Sequence, residues 1–188
     1  MTGKTSADIA SEGIARTFQN VQLFAELTLI ENVLVGLHHT YQATFAEVAL
    51  GLPRIRREEK AARERAMSLL HFVGLADLAN EEARNLPYGK QRLVEIALAL
   101  ATKPRILLLD EPAAGIPAGE SAELFSVIAG LPRDVTILFI EHDMGLVFRF
   151  AERISVLVGG RVLTEGTPAE IAADPRVREV YLGEAQHG

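Results

Sequence analysis

The run Ile106-Leu107-Leu108-Leu109-Asp110-Glu111-Pro112 constrains the fold more than any other stretch of the chain. Four apolar residues ending abruptly in two adjacent carboxylates read as a buried strand that delivers acid to the carboxyl edge of a sheet. Carboxylates placed there are costly unless a cation or hydrogen-bond donors meet them. Asp110 is therefore the candidate ligand of a Mg²⁺ ion, and Glu111, one residue on, the candidate group to polarise a water that attacks a phosphoryl group. An apolar strand ending in acid occurs in many α/β enzymes, so the pair by itself leaves the reaction open.

The chain has 188 residues, 48% hydrophobic and 23% charged, enough for one domain with a real core and unlike a disordered sequence. Its net charge of −6 argues against a general binder of nucleic acid or anionic membranes, both of which call for a basic footprint. There is no cysteine, which excludes disulfides and thiolate metal sites. The apolar run Ile96–Ala101 beside the motif region is too short to span a bilayer, and Met1–Glu12 is small and polar, unlike a signal peptide. The expectation is a soluble, cytosolic α/β domain.

Pattern along the chain divides it in two textures. Residues 13–19 read as a short strand running into a loop. From Leu27 to about Asn85 the periodicity is helical, with Thr28-Leu29-Ile30-Glu31 resembling a capped start. The clearest amphipathic helix is expected over 58–73, where Ala62, Ala66, Leu69, Leu70 and Val73 share a face and Gly74 suits the stop. The charges between Arg54 and Arg65 are its solvated face. After Asn85, strands and helices alternate: a helix over 89–102 stopped by Pro104, the Asp110 strand, a helix over 120–129 and a buried strand over 136–140. A helix capped by Asp143 and a hairpin turning at Gly159-Gly160 follow. Such alternation favours a mostly parallel sheet with helices on its faces.

Four separated elements then fall in one order. Gln19 follows a short strand, and Leu86-Pro87-Tyr88-Gly89-Lys90-Gln91-Arg92 opens a helix; Asp110-Glu111 and then Glu141-His142-Asp143 each end an apolar strand. Taken singly, Gln19 reads as a surface residue, Gly89 as a helix cap and His142 as a core histidine. In this order they resemble the Q-loop, signature, Walker B and switch-histidine motifs of the ATP-binding subunit of ABC transporters, over residues 13–183. Thr17-Phe18-Gln19-Asn20, the tyrosine in the signature, Asp110-Glu111-Pro112-Ala113-Ala114-Gly115, Ile140-Glu141-His142-Asp143-Met144 and the ending Gly166-Thr167-Pro168 … Tyr181-Leu182-Gly183 look like the branched-chain amino acid importers.

The resemblance implies a P-loop NTPase core with an inserted helical subdomain over about 25–95, ending in the signature. A catalytic core over about 104–165 and a C-terminal tail over 166–188 complete a single partial domain, 1–188. It implies ATP and Mg²⁺, with Asp110 and Gln19 at the metal, Glu111 as catalytic base and His142 at the γ-phosphate. Gln19, Tyr88, Gly89, Lys90 and Gln91 would contact nucleotide, the Gly89 helix start offering backbone N–H groups and its dipole to an anion. The implied partners are a second ATPase subunit, identical or homologous, and transmembrane permease subunits, with no nucleic acid. The implied location is cytoplasmic, on the inner face of the membrane through the permease.

The front of the chain departs from that pattern. Gly3-Lys4-Thr5 mimics the end of a phosphate-binding loop, but no strand precedes it, and only fourteen residues lie between Lys4 and Gln19. It is expected to be loop. The Walker A strand and the N-terminal antiparallel layer are expected to be missing, leaving a truncated chain that is inactive and marginal alone. A non-catalytic permease-docking module that binds no nucleotide is the alternative, and an ABC ATPase of DNA repair is disfavoured, because such proteins carry long insertions. Pro87 stands where the signature has serine, Lys90 where glutamine is common, and Pro117 where Asp or Asn is usual.

Overall fold

The apolar run that ends in Asp110 is the middle strand of a parallel sheet. The computed structural model describes residues 5, 8, 12–17, 23–37 and 53–184, in two units, 1–140 and 141–188. In the first unit, β1 (Ile14–Arg16), β2 (Ile106–Asp110) and β3 (Thr136–Ile140) lie in the order β1-β2-β3, parallel throughout. Arg16 lies opposite Leu108, and Asp110 opposite Ile140. Side chains alternate along each strand, so the sheet has two distinct faces. Leu107 and Leu109, at 0% and 2% exposure, lie on the covered face with Ile137 and Phe139. Parallel strands need a crossover, here α4 (Ala118–Ala129), whose buried Phe125 meets Phe139 edge to face with ring centroids 5.4 Å apart.

The opposite face carries Arg16, Leu108, Asp110, Leu138 and Ile140. Leu138 is 59% and Ile140 62% exposed. The expectation of a buried strand over 136–140 is corrected accordingly: only the Ile137 and Phe139 side of β3 is half-buried. Among the described residues β3 pairs with β2 alone.

Three helices of this unit pack on one another: α1 (Leu29–Leu37), α2 (Pro53–Phe72) and α3 (Tyr88–Ala101). Leu29, Ile30, Val33 and Leu37 form the buried stripe of α1. Gly36 lets α1 approach α3, since a Cβ there would press on Leu98. Asn32, fully buried, accepts from the Phe24 N–H and donates to the carbonyls of Phe24, Leu27 and Thr28, so it ties the entry loop to α1. Of the face expected in α2, Ala66 and Leu70 are fully buried and Ala62 and Leu69 half-buried, while Val73, just past the helix end, is buried and is followed by Gly74 at φ +73°. This helix begins five residues before the expected Glu58, at Pro53, whose fixed φ suits a first helical position.

The capped start is confirmed. Thr28 N–H and Oγ donate to Glu31 Oε2 at 2.8 and 2.7 Å, and Glu31 N–H donates back to Thr28 Oγ at 3.4 Å. These bonds hold the Glu31 carboxyl below its ordinary value. A depressed carboxyl contributes stability that is full above the unfolded pKa, about 4.3, and is lost as pH falls through the folded value. Thr28→Ala is expected to cost about 1 kcal/mol at neutral pH. Melting curves from pH 7 to 3 check it: the gap between variant and parent should narrow below pH 4.

The second unit holds α5 (Met144–Phe150), β4 (Ile154–Val158), β5 (Arg161–Gly166), α6 (Pro168–Ala173) and α7 (Pro175–Glu184). Asp143 caps α5 by accepting from the Leu146 N–H at 3.2 Å, as the sequence implied. β4 and β5 form an antiparallel hairpin through Gly159-Gly160, both at positive φ, as a two-residue type I′ turn requires. The hairpin extends to Gly166, two residues past the expected Thr164. Thr167 and Glu170 form a second capping box at the start of α6.

Candidate functional site

Asp110 is the last residue of β2, at the carboxyl edge, where chains of this topology hold their chemistry. Its side chain is one-third exposed (32%) and meets Arg16, whose Nη2 donates to Asp110 Oδ2 at 2.8 Å. Glu111 follows with φ +44°, a left-handed conformation that is strained for a residue with a Cβ. Its N–H donates to the Ile140 carbonyl at 3.0 Å, which carries the β2–β3 ladder one step past the strand. Its carbonyl accepts from the Ala114 N–H at 3.0 Å, and the Ile116 N–H donates to the Ala113 carbonyl at 3.1 Å. Two tight turns thus follow the acidic pair, with Gly115 at φ +75°.

That loop packs on the start of α3. Tyr88 lies against Gly115, and Gly89 is buried under Ile116 and the Glu120 carboxylate; a Cβ on Gly89 would collide with that carboxylate. Pro87 takes the N-cap position of α3 and supplies no side-chain cap. The first N–H groups of a helix have no intrahelical partner, so this end is electropositive. Gln91 Nε2 donates to the Leu86 carbonyl at 2.9 Å and fixes the entry to the helix, while Lys90 is exposed. The Arg92 guanidinium lies 5.2 Å from the centre of the Tyr88 ring. Pro117, like Pro87, takes an N-cap position, that of α4.

The structure therefore brings together Asp110 and Glu111, and joins the loop after them to Tyr88 and Gly89. Gln19 lies outside the described residues. His142 belongs to the second unit, two residues past the end of β3; its imidazole is 75% exposed, and Nδ1 lies 3.9 Å from the buried carboxylate of Glu141. Thr5, the one described residue of Gly3-Lys4-Thr5, lies outside helix and strand, and its N–H and hydroxyl donate to Asp8 at 2.9 and 2.7 Å. Sequence reasoning missed Arg16 and Glu120. A signal for Arg16 existed only in the strand register, which sets it diagonally across from Asp110 on one face.

Among the described residues, no three His, Asp or Glu side chains converge on a possible metal position. That donor set still suits Mg²⁺, which keeps several waters and takes one or two carboxylates together with substrate phosphates. Asp110, a partly exposed carboxylate at a strand end, meets that requirement. Among the described residues, no helix is long and apolar enough to cross a membrane.

Comparison with known proteins agrees with this geometry. Residues 2–114 match the family described as ABC transporter, and residues 161–187 match the family described as branched-chain amino acid ATP-binding cassette transporter. The chain is 46% identical over 187 residues to the high-affinity branched-chain amino acid transport ATP-binding protein LivG of Salmonella typhimurium, covering 98% of this chain and 73% of LivG. Among solved structures it is similar to the ADP conformation of MJ1267, an ATP-binding cassette of an ABC transporter, with TM-score 0.78 and 32% identity, covering 97% of this chain and 73% of that one. It also resembles a dimeric post-hydrolysis state of the cassette MJ0796 bound to ADP and Pi, with TM-score 0.69 and 27% identity, covering 88% and 68%. The chain belongs to the ABC transporter family, as one of its ATP-binding cassettes with the P-loop NTPase fold. Within that family its relatives place it in the branched-chain amino acid branch.

Proposed function

We propose that this chain is the ATP-hydrolysing subunit of an importer for branched-chain amino acids, acting with a second ATPase subunit beneath transmembrane permease subunits. The observation that carries this reading is the acidic pair at the end of the central strand, with its following loop seated on the α3 start. Asp110 holds Mg²⁺, which when bound neutralises charge on the β- and γ-phosphates. Glu111 takes the proton of the attacking water as the new O–P bond forms and the bond to ADP breaks. His142 contacts the γ-phosphate and helps orient that water. Gln19 senses the metal and the permease. Tyr88, Gly89, Lys90 and Gln91 present the electropositive helix start to the ATP held by the partner subunit.

In this reading the helical subdomain, about 25–95, moves against the catalytic core, about 104–165, as two subunits close on ATP, and 166–188 form the tail. The subunit works on the inner face of the membrane through the permease. The name of LivG and the match at residues 161–187 support the substrate class. The dimeric ADP-bound cassette supports the pairing of subunits.

The test is reconstitution of the chain with its permease and partner ATPase in liposomes, followed by uptake of radiolabelled leucine, isoleucine and valine. ATP-dependent uptake of these three, lowered at least about tenfold by His142→Ala, is expected, since a positioned proton-transfer or orienting group contributes on that order or more. Assembly on the permease with neither nucleotide binding nor uptake would leave the docking-module function instead.

A further inference from the structure

Arg16 sits at the metal side of the candidate site, yet the proposed hydrolysis gives it no task. Its place follows from the sheet. Arg16 is in register with Leu108, and Asp110 lies two residues further along β2, on the same face. A diagonal neighbour at that offset is within reach of a long side chain, and the Arg16 Nη2 closes on Asp110 Oδ2 at 2.8 Å. The backbone around it is fixed, because the Thr17 N–H donates to the Leu108 carbonyl at 3.0 Å. The pair joins residues 94 positions apart and occupies the open face of the sheet.

We propose that Arg16 is a positioning residue for Asp110. It is the resident cation of this carboxylate, orienting it when no metal is present and lowering its affinity for a divalent ion. The inference rests on the assignment of Asp110 as the Mg²⁺ ligand. Two physical facts drive it. A guanidinium on Oδ2 uses one of the two carboxylate oxygens that a hard cation would take. A fixed positive charge a few ångströms from the metal position also repels a divalent ion, and at this partly exposed depth the repulsion is screened but not abolished. Arg16 thereby makes the nucleotide's own phosphates necessary for tight metal binding. The site is discouraged from filling with Mg²⁺ alone, and the carboxylate is held in place until the phosphates bring the ion.

The test titrates Mn²⁺, as a paramagnetic substitute for Mg²⁺, into the full chain without nucleotide, reading free Mn²⁺ by electron paramagnetic resonance. Arg16→Met is expected to tighten Mn²⁺ binding by about three- to tenfold, the size expected from removing one screened unit charge near a divalent ion. Arg16→Lys, which keeps a charge without the planar fork, is expected to stay within about twofold of the parent. Asp110→Asn in the Arg16→Met background is expected to abolish the gain. Unchanged or weaker binding in Arg16→Met, including no detectable binding in either protein, overturns the proposal. Binding that is present in the parent but indifferent to Asp110→Asn overturns instead the assignment of Asp110 as metal ligand.

Discussion

Glu111→Gln in the assembled transporter is expected to leave ATP binding intact and to lower hydrolysis by about a hundred- to ten-thousand-fold, the usual contribution of a positioned general base. The amide matches the carboxylate in size and keeps the backbone geometry, so the loss reports the proton acceptor alone. Steady-state phosphate release and equilibrium nucleotide binding, measured side by side, check it. Hydrolysis within about twofold of the parent would remove Glu111 from the role of base. A companion variant separates chemistry from strain. Glu111 is held at φ +44°, where a side chain costs on the order of 1 kcal/mol or more and glycine costs little. Glu111→Gly is therefore expected to lose hydrolysis as Glu111→Gln does while gaining about 1 kcal/mol of stability, readable in denaturant melts. Strain held by the acid itself, fixed through its N–H to Ile140 and its carbonyl to Ala114, is what a site that must present one carboxylate in one direction would keep.

The strand and helix order was legible because hydrophobic period and punctuation agree in this chain. Pro104 stops one helix, Asp110 ends one strand, and the observed bounds of β2 and β3 fall where the apolar runs do. Asp143 and Thr28 were readable as caps because their role depends on residues only three positions away. What was not legible depends on pairing across long stretches. Leu138 and Ile140 read as buried from composition, but their burial depends on what covers that face of the sheet, which no local pattern encodes. The Arg16–Asp110 pair requires the parallel register of β1 on β2, and one residue of slip would put the two on opposite faces. The left-handed turn at Glu111 carries no glycine to announce it. In the candidate site, the residue types were readable from motifs, whereas the seating of Gly89 beneath Glu120 and Ile116 was a matter of packing between α3 and α4.

Glu95→Ala is expected to destabilise the chain by about 3–5 kcal/mol, the cost of leaving one member of a buried ion pair without its counter-charge. Arg92 Nη1 donates to Glu95 Oε2 at 2.9 Å within α3, and the two side chains are only 3% and 6% exposed. With Glu95 removed, the Arg92 charge stays in a site that excludes water. For a domain whose total stability is of order 5–15 kcal/mol, that loss is large, and denaturant melts at neutral pH should show it directly. The double variant Arg92→Met, Glu95→Leu removes both charges at similar volume and is expected to recover most of the loss. A single variant within about 1 kcal/mol of the parent would show that the remaining partners of Arg92 compensate it. The pair also bears on the site, because the guanidinium that Glu95 holds is the one packed on the Tyr88 ring at the first turn of α3. The double variant is therefore expected to keep the fold while releasing Tyr88. In the transporter this is expected to lower ATP hydrolysis by up to about a hundredfold, the loss that a misplacement of about an ångström can produce.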